Sequence, residues 1–298
     1  MAHEPADMVA ALRELEDQGV DTSHLEPVGA RPTIPRYLAD LWDRRHFIWM
    51  DSRHQVATQN SRNRLGSFWL LLRPLLDAAM YFVIFGLVLK FNKNMENYPA
   101  FVIIGVLMFR STMRAISQGP GLLRSHRAMI RAFMFPRASL VIAGEIRDAL
   151  QLVYTVAMVA VMIMIIRPHE WPEPTWLLVP VIFVLQFVLN LGISFFLARI
   201  GFLLPDTAQL MAFIGRFLMY GSGVIFPIDR FLGNPVADVL IHANPVYHLL
   251  VLYRGVLMDG TVPALQHWLV LAAWGIVLSV AGLIFFWRGE ATYGAEQR

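Results

Sequence analysis

The sequence predicts an all-α integral membrane protein with six transmembrane helices, an N-terminal interfacial amphipathic helix and short re-entrant external helices between spans five and six. Three observations predict it. Of the 298 residues, 56% are hydrophobic and only 16% are charged, whereas soluble domains are about 25% charged. The mean hydropathy is +0.51, and the apolar residues gather in runs long enough to cross roughly 30 Å of hydrocarbon. Arginines cluster in alternate connections, the pattern that orients membrane helices. The net charge of +3 follows from those loops and calls for no nucleic-acid partner. The absence of cysteine excludes a disulfide framework, a thiolate metal site and a thiol nucleophile.

In chain order, residues 1–35 read as an acidic cytoplasmic tail, mobile or weakly helical, that opens without a secretory signal pattern. Residues 36–65 mix Leu38, Leu41, Trp42 and Trp49 with Asp40, Asp43, Arg44, Arg45 and Asp51. That mixture suits a helix lying in the interface plane. Gly66 permits the turn into the membrane, and residues 66–298 form the transmembrane domain.

Six spans are predicted near 68–91, 99–117, 139–166, 176–203, 208–227 and 267–287. They must be helical, because lipid offers backbone groups no outside partner. Arg44, Arg45, Arg53, Arg62 and Arg64 precede the first span, and Arg114, Arg124, Arg127, Arg131 and Arg137 come between the second and third. The loops after spans one and three carry only Lys90, Lys93 and Arg167. Both termini therefore face the cytoplasm. The stretch 228–266 breaks at Asn234-Pro235 and Asn244-Pro245 into pieces too short to cross, as re-entrant helices do.

Catalytic signatures are missing from the sequence. There is no G-x-x-x-x-G-K-[ST] phosphate loop, no H-E-x-x-H metal helix and no G-x-S-x-G elbow. His242 and His248 flank Asn244-Pro245 and read either as an acid–base pair or as structural residues. Asp77 lies about 13 Å into its helix and must face protein or water.

Several ordered motifs resemble the membrane subunits of ABC-2 type exporters, specifically the polysaccharide-export permeases for O-antigen, teichoic acid and capsule. They are Asn63 to Trp69, Arg73-Pro74-Leu75, Val83 to Gly86 and the Phe135-Pro136-Arg137 end of the loop after span two. Phe202 to Asp206, Gly221 to Pro227, Asn244-Pro245 with Tyr253-Arg254-Gly255, and Phe286 to Glu290 follow in order. Arg64 stands where the family has serine, and Pro205 where it has arginine. The resemblance implies a homodimer that binds two copies of a separate P-loop ATPase, which holds the ATP and Mg, with no cofactor or metal on this chain. It implies an ATP-driven permease that moves polyprenyl-pyrophosphate-linked polysaccharide, such as an O-antigen or galactan of a lipopolysaccharide, rather than an enzyme.

The resemblance also makes the 124–137 loop an ATPase-docking surface, with Arg127, Met129, Ile130, Phe133, Phe135, Pro136 and Arg137 as its residues. On the residues alone it reads equally as a plain basic loop resting on lipid. Tyr81, Phe82 and Phe85 of span one, with Phe217 and Tyr220 of span five, are candidates for a glycan channel. Rings stack on sugar C–H faces and tyrosine hydroxyls bond sugar hydroxyls; the alternative is plain helix packing. Asp77, Arg110, Arg114, Glu145 and Arg147 are candidate entrance or gating groups, with snorkelling anchors as the alternative for the arginines. The rival readings are an ABC-2 drug or lipid exporter, a membrane glycosyl- or acyltransferase using His242 or His248, and an ATP-independent flippase.

Overall fold

Among the described residues every regular element is helical, as the composition requires. The computed structural model describes residues 32–58, 68–81, 83–84, 97–165, 171–228 and 235–294, and Thr33–Arg298 cluster as one unit. Residues 1–31, the Asn63–Ser67 part of the turn, Phe82 and Phe85 lie outside the described residues, as does the side chain of Tyr81.

The interfacial segment is two helices rather than one, α1 (Ile34–Asp43) and α2 (Arg45–Thr58), joined at Arg44. Proline in the first turn of α1 supplies a preset backbone angle. Tyr37 and Leu41, four apart, are buried while Leu38 and Trp42 are exposed. In α2 the buried set is Ile48, Ser52 and Val56, again at four-residue spacing. Ser52 Oγ donates to Ile48 O at 2.7 Å and to Ala143 O at 2.9 Å, which seats α2 on the third span.

Helix α3 (Trp69–Tyr81) carries Pro74 inside it. Helix α4 (Tyr98–Gln118) starts at Asn97, whose side chain accepts from Ala100 N. A Gly-Pro-Gly 3-10 turn leads to two short pieces, α5 (Leu122–Ser125) and α6 (Arg127–Ala132). Then come α7 (Ala138–Ile165), α8 (Val179–Leu203), α9 (Thr207–Gly221), α10 (Pro235–Ala243), α11 (Pro245–Leu257) and α12 (Leu265–Trp287).

Four stretches are long and apolar enough to cross a membrane: Tyr98–Ser125, Ala138–Ile165, Pro174–Leu203 and Leu265–Trp287. They coincide with the expected spans two, three, four and six. The expected span five is a helix of 15 residues, about 22 Å long and short of the roughly 30 Å hydrocarbon thickness. The described part of span one is 13 residues, shorter still. The stretch between spans five and six holds the two short helices α10 and α11, each opened by proline.

Burial sets the order of the bundle. The apolar window of the α4 span is 78% buried against 22% for α12, so α4 is the central helix and α12 lies at the periphery. Helices α8 and α12 pack along their length. Phe196 stacks on Phe285 at 5.5 Å, Phe195 meets Phe286 at 5.6 Å, and Ser279 Oγ donates to Val188 O at 2.6 Å.

Helix α11 is drawn into the core rather than left at a surface, with Leu249, Leu250, Leu252, Tyr253 and Val256 fully buried. Its Arg254 is 8% exposed. The guanidinium donates to Gly223 O and Val224 O at 2.9 Å each and to Phe101 O at 3.3 Å. It lies 3.4 Å from the centroid of the Phe101 ring. Gly223 takes φ of +66 to turn these carbonyls inward. A Cβ on Gly105 would run into Val224 O and the Arg254 guanidinium. The clamp therefore needs glycine at both places.

Arg254→Met keeps the length of the stem and leaves three buried carbonyls without their donor. We expect it to cost about 2–4 kcal/mol, read as a lower melting temperature of the detergent-solubilised protein. Gly105→Val should do the same, and unchanged melting of both would remove the clamp from the account.

Candidate functional site

A polar seam crosses the apolar bundle, built from side chains that each need an internal partner once water is absent. Helix α8 presents Gln186, Asn190 and Ser194, spaced by four so that they share one face. All three are buried. Gln186 Nε2 donates to Met108 O at 3.0 Å and to Thr112 Oγ1 at 3.3 Å, and its Oε1 accepts from the Tyr253 hydroxyl at 2.9 Å. Asn190 Nδ2 reaches Ser111 Oγ at 3.4 Å. Ser194 Oγ donates to Glu145 Oε1 at 2.5 Å.

The structure brings the expected entrance residues together at one end of this seam. Asp77 of α3 pairs with Arg110 of α4, so the carboxylate faces protein as its depth demanded. One turn on, Arg114 donates to Gln151 of α7. Arg147 bonds Asp148 Oδ1 at 3.2 Å, Gln55 Oε1 of α2 at 3.1 Å and Gln118 Oε1 of α4 at 3.1 Å. A single guanidinium thus ties the interfacial helix to two spans, the multi-acceptor use to which its planar fork is suited. Glu145 and Asp148 are each 5% exposed, so they are internal to the bundle.

The docking residues divide sharply. Ile130 and Phe135 are 4% and 7% exposed and join a core with Tyr37, Leu41, Leu123, Phe286 and Tyr293. Pro136 is buried too, Met129 and Arg137 are half-buried, and Arg127 is exposed. Phe133 and Met134 stand out at 64% and 74% exposed. Ile130, which the resemblance places on the docking surface, is instead spent on the protein's own core. Phe133 begins an extended segment, at φ -133 and ψ 142, which turns its ring and that of its neighbour outward. Arg44 Nη2 donates to Met134 O at 3.1 Å and links this segment to the elbow of α1 and α2.

Of the channel candidates, Phe217 and Tyr220 are exposed on α9 at 74% and 55%, in line with Leu210 and Phe213 on the same helical face. Tyr220 stacks on Phe226 at 6.4 Å. Phe82 and Phe85 are outside the described residues, and Tyr81 closes α3.

His242 and His248 do not face each other ring to ring as an acid–base pair. His248 Nε2 donates to the backbone carbonyl of His242 at 2.9 Å, and its Nδ1 meets Nδ1 of His267 at 2.7 Å. Both nitrogens of this buried ring are engaged, Nε2 joining α11 to α10 and Nδ1 joining α11 to α12. No group of three or more His, Asp or Glu side chains suited to a metal occurs among the described residues.

Three parts of this arrangement escaped the sequence reading: the Gln186–Asn190–Ser194 face, the Arg254 clamp, and a contact between Tyr37 and Glu290. The first had a signal, polar residues at four-residue spacing inside an apolar run. The other two join segments far apart in sequence and left none.

A bundle with four membrane-length apolar helices and an internal polar seam is a multi-pass membrane protein. Comparison with known proteins narrows the class. The chain is 21% identical over 251 residues to the O-antigen export system permease protein RfbA of Myxococcus xanthus, covering 84% of this chain and 95% of that protein. It is 22% identical over 251 residues to an O-antigen export system permease protein RfbA of Klebsiella pneumoniae, covering 84% and 92%. A second Klebsiella pneumoniae RfbA is 21% identical over 222 residues, covering 74% and 83%. No family model matches the chain. The resemblance to polysaccharide-export permeases read from the motifs is borne out by these relatives.

The division of the loop predicts opposite outcomes for adjacent truncations. Ile130→Ala should cost about 2–3 kcal/mol of stability. Phe133→Ala and Met134→Ala should each stay within about 0.5 kcal/mol of wild type. Thermal unfolding in detergent measures all three, and equal losses would mean that the exposed pair is also part of the core.

Proposed function

We propose that this chain is the membrane subunit of an ATP-driven exporter that moves a polyprenyl-pyrophosphate-linked polysaccharide, O-antigen- or galactan-like, to the outer face of a bacterial cytoplasmic membrane. The observation that carries this reading is the similarity to three O-antigen export permeases along 84% of the chain at best, with 83% to 95% of the relatives' length covered. The chain acts as a six-span homodimer with both termini in the cytoplasm, and two copies of a P-loop ATPase supply ATP, Mg and hydrolysis.

The exposure of the loop residues supports a division of labour. Phe133 and Met134, exposed beside Arg127 and Arg131, are the apolar contacts of the ATPase, and the basic rim orients it. Ile130, Phe135 and Pro136, held in the core, carry the motion inward. Leu210, Phe213, Phe217 and Tyr220 form an apolar aromatic face on α9 that meets its copy and, with span one, lines a path between the subunits. Rings along such a path let a long glycan slide past without a tight site. The Asp77–Arg110 pair and Arg147 guard its cytoplasmic end.

Depletion of the protein in its own cell tests the reading. Lipid-linked glycans are then extracted and their sugars analysed. One polyprenyl-linked polymer should accumulate on the cytoplasmic face. Unchanged amounts, with a polymer missing a terminal sugar or acyl group, would favour a transferase instead. In the same cells Met134→Glu should reduce co-purification of the ATPase by at least about tenfold, because burying an unpaired carboxylate in an apolar contact is costly.

A further inference from the structure

The residues after α12 fold back onto the loop that precedes α7. Glu290, three positions beyond Trp287, is 2% exposed. Its Oε1 accepts from Arg137 N at 2.8 Å and from Arg137 Nη1 at 3.3 Å, and its Oε2 accepts from the Tyr37 hydroxyl at 2.7 Å. That hydroxyl accepts in turn from Ala138 N at 3.1 Å. One carboxylate therefore joins α1, the Phe135-Pro136-Arg137 turn and the tail. The backbone N–H of Arg137, just before α7, donates to the carboxylate directly, and that of Ala138, the first residue of α7, reaches it through the Tyr37 hydroxyl; neither has an acceptor within a helix.

The tail is held on its other side as well. The Tyr293 hydroxyl donates to Phe286 O at 2.7 Å, and its ring lies edge-on to Phe202 at 5.1 Å. Burial pushes the Glu290 carboxyl above its ordinary range and the Tyr37 hydroxyl likewise upward. Both carboxylate oxygens are bonded within the protein, and at 2% exposure the side chain is closed off from solvent.

We propose that Glu290 is the positioning residue of the 124–137 loop. The tail straps the far end of that loop to α1 and to the start of α7, so that a push at Phe133 and Met134 displaces the bundle instead of bending the loop. The inference rests on the docking reading given above. Helix α6 has six residues, too few to hold its own position, and the segment after it is extended. Its place is set by anchors on either side, Ile130 in the core and the Glu290 strap. The push then enters the bundle where α2 already rides α7, at Ala143 and Arg147.

The chain has no cysteine, so Ala132→Cys, at an exposed position, accepts a spin label that reports on the loop alone. The full-length permease with its ATPase is placed in lipid vesicles with the lipid-linked glycan recovered from depleted cells. Glu290→Ala should increase the label's mobility and lower the glycan moved per ATP hydrolysed by about fivefold or more, with the ATPase still bound. Glu290→Gln keeps the shape and an acceptor for Arg137 N, and should remain near wild type in both. Unchanged mobility, or an unchanged ratio of glycan to ATP, in Glu290→Ala overturns the strap. Should that variant fail to accumulate, Tyr37→Phe, which removes the hydroxyl between Glu290 and Ala138, carries the same comparison. A wild-type complex that hydrolyses ATP and moves no glycan overturns the export reading instead, and the label spectra alone then decide the strap.

Discussion

The rest of the bundle depends on one buried cation. Arg254 places its guanidinium against the carbonyls of Gly223, Val224 and Phe101 and against the Phe101 ring. Three elements converge there: α11, which carries the arginine; α4, which offers Phe101 and the Gly105 gap; and the turn that follows α9. An arginine in that position would be costly if unmet, and so would three inward carbonyls. Each settles the other, and the short helix α11 is pulled into the core as a result. The geometry also fixes the turn that follows α9, because the carbonyls of Gly223 and Val224 are the ones Arg254 holds.

A similar economy governs the seam. Inside lipid, apolar packing gives little net drive, because acyl chains are as apolar as leucine. Specificity between helices must come from close packing and from polar pairs. Gln186 serves α4 and α11 at once, and Ser194 takes Glu145 of α7. At the arginine-rich end Arg147 adds α2 to the same set. Each bond is small, about 0.6 kcal/mol on average in membrane helices, but each excludes a wrong rotation of its helix. Three of the four membrane-length helices, α4, α7 and α8, are thereby locked in register while α9 keeps an outward apolar face.

The end that carries the basic loop is built differently. Here water is near, and aromatic packing contributes fully: Phe195 on Phe286, Phe202 on Tyr293. The loop divides between residues that join this core and residues that leave it. Ile130 and Phe135 lie inside, while Phe133 and Met134 lie outside. Such a division sets the exposed pair within a few residues of side chains fixed in the core.

The sequence by itself determined the solvent and the element type. Runs such as 176–203 and 267–287 are too long and too apolar to be satisfied by water, so they are membrane helices wherever they fold. The motifs also carried the likeness to polysaccharide exporters, because Leu-Gly, Phe-Pro-Arg and Asn-Pro are local signals. The pairing of Asp77 was legible in kind, as a charge at that depth must find a partner, but not that the partner is Arg110. Only the tertiary structure decided the side of each loop residue. Met129, Ile130, Phe133 and Met134 are all apolar, and hydropathy cannot tell a side chain buried in its own core from one held out. It also decided Arg254 and Glu290. Their partners lie 30 to 253 residues away in the chain, and a contact that long depends on how helices pack, which no local pattern encodes.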